Sequence, residues 1–107
     1  MAFFEMRQYK VLPGKMDAWV KVMEEEIIPF QVSKGMVILG GYRGETDETI
    51  YFWIRRFESE EQRVAQYKAV YDSEHWTKVI APKLDALRDP TGRKVIRVVP
   101  TPRSPVQ

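Results

Sequence analysis

Between Thr49 and Tyr71 the chain switches period without a break. Thr49-Ile-Tyr-Phe-Trp-Ile-Arg-Arg-Phe57 is dense in β-branched and aromatic residues, the composition of a strand. Ser59 with Gln62 three residues later is a capping-box signature, so a helix is predicted to start there. A strand that feeds straight into a helix obliges that helix to lie back across its own sheet. The remaining segments must then fit around this unit.

Ahead of it, Phe3 to Val11 reads as a first strand, ended by Leu12-Pro-Gly14. Phe4 and Met6 fall on one face of it, and Glu5, Arg7 and Tyr9 on the other. Gly14 is expected to cap a helix in which Met16, Trp19, Val20, Met23, Ile27 and Phe30 keep helical spacing. Pro29 is expected to kink or end it near Ile28, with Gly35 as the C-terminal cap. Met36 to Gly44 is the second strand, with Gly40-Gly41 marking a bulge or a close backbone approach. Glu45-Thr-Asp-Glu48 turns the chain back to Thr49. Beyond the helix that ends near Tyr71, Ser73 is placed to cap a second helical piece carrying Trp76, Val79, Ile80, Leu84 and Leu87. Pro82 implies a kink or a restart inside it. Asp89-Pro-Thr-Gly92 reads as a turn, and Lys94 to Val99 as the last strand. Residues 1–100 are expected to form one domain and 101–107 a proline-rich C-terminal arm.

The order βαββαβ is the split βαβ, ferredoxin-like arrangement: an α+β fold whose antiparallel sheet carries helices on one face. Taken literally, the strand alternation leaves Arg7, Tyr9, Trp53 and Arg55 on the open face. Large aromatics suit bare water poorly, so a second copy is expected to pack face to face in a homodimer.

Composition excludes several functions. The 107 residues suffice for one modest core. With 17 basic against 15 acidic residues the net charge is +2, too even a balance for a nucleic-acid surface. No cysteine is present, which removes disulfides, thiolate metal sites and a cysteine nucleophile. One histidine and no cysteine predict no transition-metal site, and no phosphate-loop spacing or nucleophile elbow occurs, so no cofactor is expected. No apolar run approaches the ~20 residues of a membrane span, and Met1 to Arg7 lacks the layout of a secretion signal. A cytoplasmic location is the expectation.

Four stretches resemble the NIPSNAP family. Phe4-Glu-Met-Arg-Gln-Tyr-Lys-Val-Leu-Pro-Gly is similar to its aromatic, Glu-Leu-Arg-x-Tyr and Pro-Gly opening. Leu39-Gly-Gly-Tyr-Arg43 resembles its glycine-aromatic-arginine strand. Phe52-Trp-Ile-Arg-Arg-Phe-Glu-Ser-Glu-Glu-Gln-Arg63 resembles its strand-to-helix motif, and Tyr71-Asp-Ser-Glu-His-Trp76 its tyrosine-to-tryptophan junction. The resemblance spans about Phe4 to Leu87. It implies a dimeric α/β barrel, and it implies a fold rather than a reaction, because the family has no shared catalytic motif. The wider superfamily includes cofactor-free monooxygenases, small isomerases and ligand-binding modules. Where the family often has histidine two positions before the strand tryptophan, this chain has Tyr51.

Several residues are candidates for a site, each with a plainer alternative. His75, the one histidine, is either a base near neutral pKa or a surface residue at a helix start. Tyr51 is a second candidate for moving a proton. Arg7 and Arg55, with Glu5 as partner, form either a guanidinium fork for a substrate carboxylate or an interface ion pair. Tyr9, Tyr42 and Trp53 suit the wall of a pocket for a flat ligand, and packing explains them equally well. Tyr71 and Trp76 flank the helix break as a gate or as ordinary core. The sequence therefore points to a homodimer that binds a small hydrophobic or aromatic molecule, or transforms it without a cofactor. The alternatives are a non-enzymatic interaction module and a cofactor-free monooxygenase.

Overall fold

A computed structural model describes residues 2–107. The elements run β1 (Phe3–Val11), α1 (Met16–Val22), α2 (Ile28–Ser33), β2 (Val37–Arg43), β3 (Ile50–Phe57), α3 (Glu60–Tyr71), α4 (Ala81–Asp85) and β4 (Arg88–Val98). All paired strands are antiparallel, in the order β2-β3-β1-β4, which is the expected ferredoxin-like topology. Among the described residues no helix is long and apolar enough to cross a membrane.

Local chemistry explains the boundaries. The Ser59 hydroxyl accepts from the Gln62 N–H at 3.1 Å, and the Gln62 side-chain oxygen accepts from the Glu58 N–H at 2.8 Å. The Ser73 hydroxyl likewise accepts from the Trp76 N–H at 3.1 Å. Gly35 ends the first helical segment at φ +91°, a left-handed position that glycine adopts without strain. Gly14, also at positive φ, shapes the turn; the helix cap itself is Lys15, so the expected Gly14 cap is displaced by one residue. In the β2–β3 pairing the register shifts between Ile38 and Gly40, where the double glycine predicts a bulge.

Both helical layers contain a widened turn. Met23–Ile27 joins α1 to α2, and His75–Ile80 leads into α4, each with π-type hydrogen bonding. A proline follows each of them, Pro29 and Pro82, at the start of the next α segment. Proline lacks an N–H and its ring crowds the carbonyl four residues back; a wider turn there relieves both problems. Pro29 thus does not end the helix near Ile28, and the segment continues to Ser33. The last strand also differs from expectation. Asp89-Pro-Thr-Gly92 lies inside β4, where the pairing with β1 shifts register between Gln8 and Lys10. The Asp89 carboxylate accepts from the Thr91 N–H and hydroxyl, so the turn-forming chemistry survives as a local irregularity.

The principal correction concerns which face of the sheet is covered. Arg7, Tyr9, Trp53 and Arg55 lie beneath the helices, buried, not on the open face. The helix-facing side is the one with the larger rings. Tyr9, Tyr51 and Trp53 pack against Trp19, Met23 and Ile27, while Phe3 and Phe57 pack with Met36 and Val70. Arg55 sits between these two apolar clusters. The opposite face presents Phe4, Met6, Ile54 and Val98, and the C-terminal arm crosses it. There Arg56 donates from Nε to the Gln107 carbonyl at 2.6 Å. Strand alternation reports polarity, and here a hydrogen-bonded ionic network lies on the side with more ring volume to bury.

Candidate functional site

The centre of the helix-facing side is Arg55. Its guanidinium is fully buried and donates from Nη2 to Glu5 Oε1 at 2.7 Å and to the Tyr67 hydroxyl at 2.7 Å. From Nη1 it donates to the Gln31 amide oxygen at 3.0 Å and to the Tyr71 hydroxyl at 2.7 Å. The rings of Trp53 and Tyr67 lie 5.0 and 5.1 Å from its central carbon. Tyr67 closes the network by donating to Glu5, within 2.7 Å of Oε2.

Arg7 lies one strand pitch away. It donates from Nε to the Tyr9 hydroxyl at 2.8 Å and from Nη1 to the Tyr67 hydroxyl at 3.0 Å, with Glu5 at 3.5 Å. Two guanidinium charges thus face one carboxylate. Burial works to raise the Glu5 pKa, but Arg55, the Tyr67 hydrogen bond and Arg7 override it and hold the group below the ordinary carboxylate range. Burial pushes the Tyr67 hydroxyl up to about 12; Arg55 opposes this and the hydrogen bond to Glu5 reinforces it, so Tyr67 stays a neutral donor.

Beside this network is a cavity of about 260 Å³ between sheet and helices. The sheet contributes Arg7, Tyr9 and Trp53; the first helical segment contributes Trp19, Met23, Ile27 and Gln31. Tyr67, Tyr71, Trp76 and Leu84 form the other wall, and Arg88 and Arg93 stand where β4 passes the mouth. Met23 and Ile27 belong to one widened turn and Trp76 to the other, and such turns recur at functional sites. The lining mixes aromatic rings with converging polar groups, a combination that suits a small-molecule site; drug-sized ligands occupy ~300–1,000 Å³, so a ligand here is small.

The candidates divide sharply. Arg7, Tyr9, Trp53, Tyr71 and Trp76 meet at this cavity, and Arg55 lies behind it. Tyr42 does not join them: the register shift at Gly40 turns it to the opposite face, 54% exposed, where it lines a separate recess under the C-terminal arm. His75 points away from the cavity, exposed, with its ring edge-on to Phe30 at 4.8 Å. Tyr51 is buried against Trp19 and Gly41, at the far end of the sheet face. Burial first, then the Glu24 charge and Tyr9, push its hydroxyl up to about 12, an unsuitable value for a proton donor or base near neutral pH. Gln31, Tyr67, Arg88 and Arg93 are additions from the structure. Gln31 had a readable signal, because a polar residue four places after Ile27 stands on the apolar stripe. Nothing in the local pattern marks the two rim arginines.

A four-stranded antiparallel sheet of this order, backed by interrupted helices on one side, defines a ferredoxin-like α+β domain. The chain belongs to the NIPSNAP family, whose sequence profile matches residues 4–105. A NIPSNAP family protein from Agrobacterium tumefaciens str. C58 superposes with a TM-score of 0.89 at 20% identity, over 100% of both chains. An uncharacterized NIPSNAP domain protein from Burkholderia xenovorans gives 0.85 at 16% identity, covering 96% of this chain and 98% of that one. A putative antibiotic biosynthesis monooxygenase from Caulobacter crescentus CB15 gives 0.69 at 14% identity, over 91% and 87%. At these identities the likeness is one of fold. No functionally curated protein matches the chain.

Proposed function

We propose that the protein binds a small hydrophobic or aromatic molecule in the cavity between sheet and helices, and that it does so as a homodimer. The observation that carries the first part is the cavity itself: three tryptophans and three tyrosines line it, with Arg7 beside Tyr71 among them. An aromatic face that served only to hold two copies together would lie on the outside of the protomer; this one lies within. Where turnover accompanies binding, Tyr71 is the hydroxyl placed to move a proton and Arg7 the cation placed to steady an enolate. The fold shared with the Caulobacter protein does not by itself favour oxygen chemistry.

The homodimer is supported by the opposite face. Leu39, Tyr42 and Ile96 are 41%, 54% and 60% exposed there, beside a recess of about 490 Å³ with few polar groups. Thermal-shift screening with small aromatic metabolites, read together with tryptophan fluorescence, tests the binding role. Ligands should raise the melting temperature and perturb Trp19, Trp53 or Trp76 emission. A library that does neither refutes the reading. Sedimentation equilibrium tests the assembly: a monomer at micromolar concentration refutes the dimer, and Ile96→Lys should dissociate it.

A further inference from the structure

We infer that the cavity's ligand is an acid: an apolar or aromatic body carrying one carboxylate or comparable anionic oxygen group, seated on Arg7 and Tyr71. This rests on the binding role proposed above and adds the charge of what is bound.

The charge balance is the first support. Arg7 and Arg55 are both buried, and Glu5 is the carboxylate that contacts them. Both terminal nitrogens of Arg55 are engaged within the protein, by Glu5, Gln31, Tyr67 and Tyr71, and its Nε is buried out of reach without a partner. Arg55 is therefore a structural cation and not half of a substrate fork. Arg7 is different. Its Nε and Nη1 are used, but Nη2 has no hydrogen-bond partner among the described residues, and the side chain lines the cavity. One positive charge is thus left uncompensated at the cavity wall, and no aspartate or glutamate lines that wall among the described residues. A buried cation without a counter-charge is costly, and an anionic ligand removes the cost.

Hydrogen-bond polarity is the second support. The Tyr71 oxygen accepts from Arg55 and, at 3.4 Å, more weakly from Gln31. Its own proton is left to donate, and no protein acceptor takes it among the described residues. A guanidinium donating into a phenol oxygen strengthens that phenol as a donor. The unmatched donors on the cavity wall are thus Arg7 Nη2 and the Tyr71 hydroxyl, so the complement is a molecule that brings acceptors. Arg93 at the mouth biases the approach of anions, whereas Arg88 beside it is paired with Asp85 at 2.9 Å.

The test uses the whole 107-residue chain with matched pairs of probes: benzoate, cinnamate and indole-3-acetate against their primary amides, with benzylamine as the cationic control. Affinities come from calorimetry and tryptophan quenching at pH 7. The acids should bind roughly 10- to 100-fold more tightly than the amides, the factor expected of a hydrogen bond to a charged group. Arg7→Met should erase that difference. Gln31→Glu, which places a carboxylate against Arg55 and cancels the surplus charge, should do the same with little change in side-chain volume. It serves where Arg7→Met fails to fold. Amides that bind as well as acids, or an amine that binds better, overturn the inference and leave the cavity's binding role standing. Failure of every probe, acid, amide and amine alike, overturns both.

Discussion

Replacing Glu5 by Gln removes one negative charge from the centre of the protein and almost nothing else. The Glu5 and Arg55 side chains are 4% and 0% exposed, so solvent screening does not soften the change. Removing one partner of a buried ion pair typically costs ~3–5 kcal/mol. Glutamine keeps an oxygen for Arg55 and Tyr67, so the lower end, about 3 kcal/mol, applies. At about 4–8 °C per kcal/mol for a domain of this size, the melting temperature falls by at least ~12 °C. Urea denaturation is the assay, because the midpoint should drop while the slope stays constant. The pH dependence supplies a sign. Glu5 has a folded-state pKa below its ordinary 4.5, so its stabilisation is complete above pH 4.5 and is lost as pH falls through the folded value. The gap between wild type and Glu5→Gln should therefore be widest near neutrality and narrow in acid. A loss below about 1 kcal/mol, the yield of an exposed pair, would refute the account of a desolvated network, as would a gap that widens in acid.

Other substitutions probe separate parts of the fold. Tyr67→Phe removes the hydroxyl shared by Glu5 and both arginines; a loss of ~1.5–3 kcal/mol is expected, with acid unfolding moved to higher pH. Ser59→Ala should cost ~0.5–2 kcal/mol in chemical denaturation by uncapping α3, and Ser59→Asp should recover most of it. A Cβ at Gly41 would collide with the Tyr51 hydroxyl, so Gly41→Ala should destabilise by about 1–3 kcal/mol; adding Tyr51→Phe should restore part of this in a double-mutant cycle.

Features governed by neighbours in sequence were legible before the structure. The Ser59 cap, the Gly35 stop, the Glu45–Glu48 loop and the double-glycine bulge each depend on a few adjacent residues. The sheet's orientation depends on partners far along the chain. Glu5 and Arg55 are 50 residues apart, and only their meeting with Tyr67 makes the charged face the buried one. The same holds for the site. Arg7, Tyr9, Trp53, Tyr71 and Trp76 were readable as a cluster of large or charged residues, the first three on one sheet face that was expected to be the open one and is the covered one. Tyr42 was misplaced because the shift at Gly40 reverses its side; His75 takes the plainer of its two readings, a surface residue where the widened turn starts. For β4, a local Asp-Thr contact mimics a chain reversal while the strand continues through it.

The widened turns before Pro29 and Pro82 also fix how this architecture tolerates changes of length. Each holds one more residue than an ordinary helical turn, and one residue is ~100° of rotation about the axis. In a regular helix that extra residue would rotate everything beyond it by this angle; the widened turn absorbs most of it. Deleting Glu25 would therefore let the first helix wind regularly with Gln31 still on the side of Arg55. A one-residue loss that a regular stretch of helix could not absorb is accommodated at these two places.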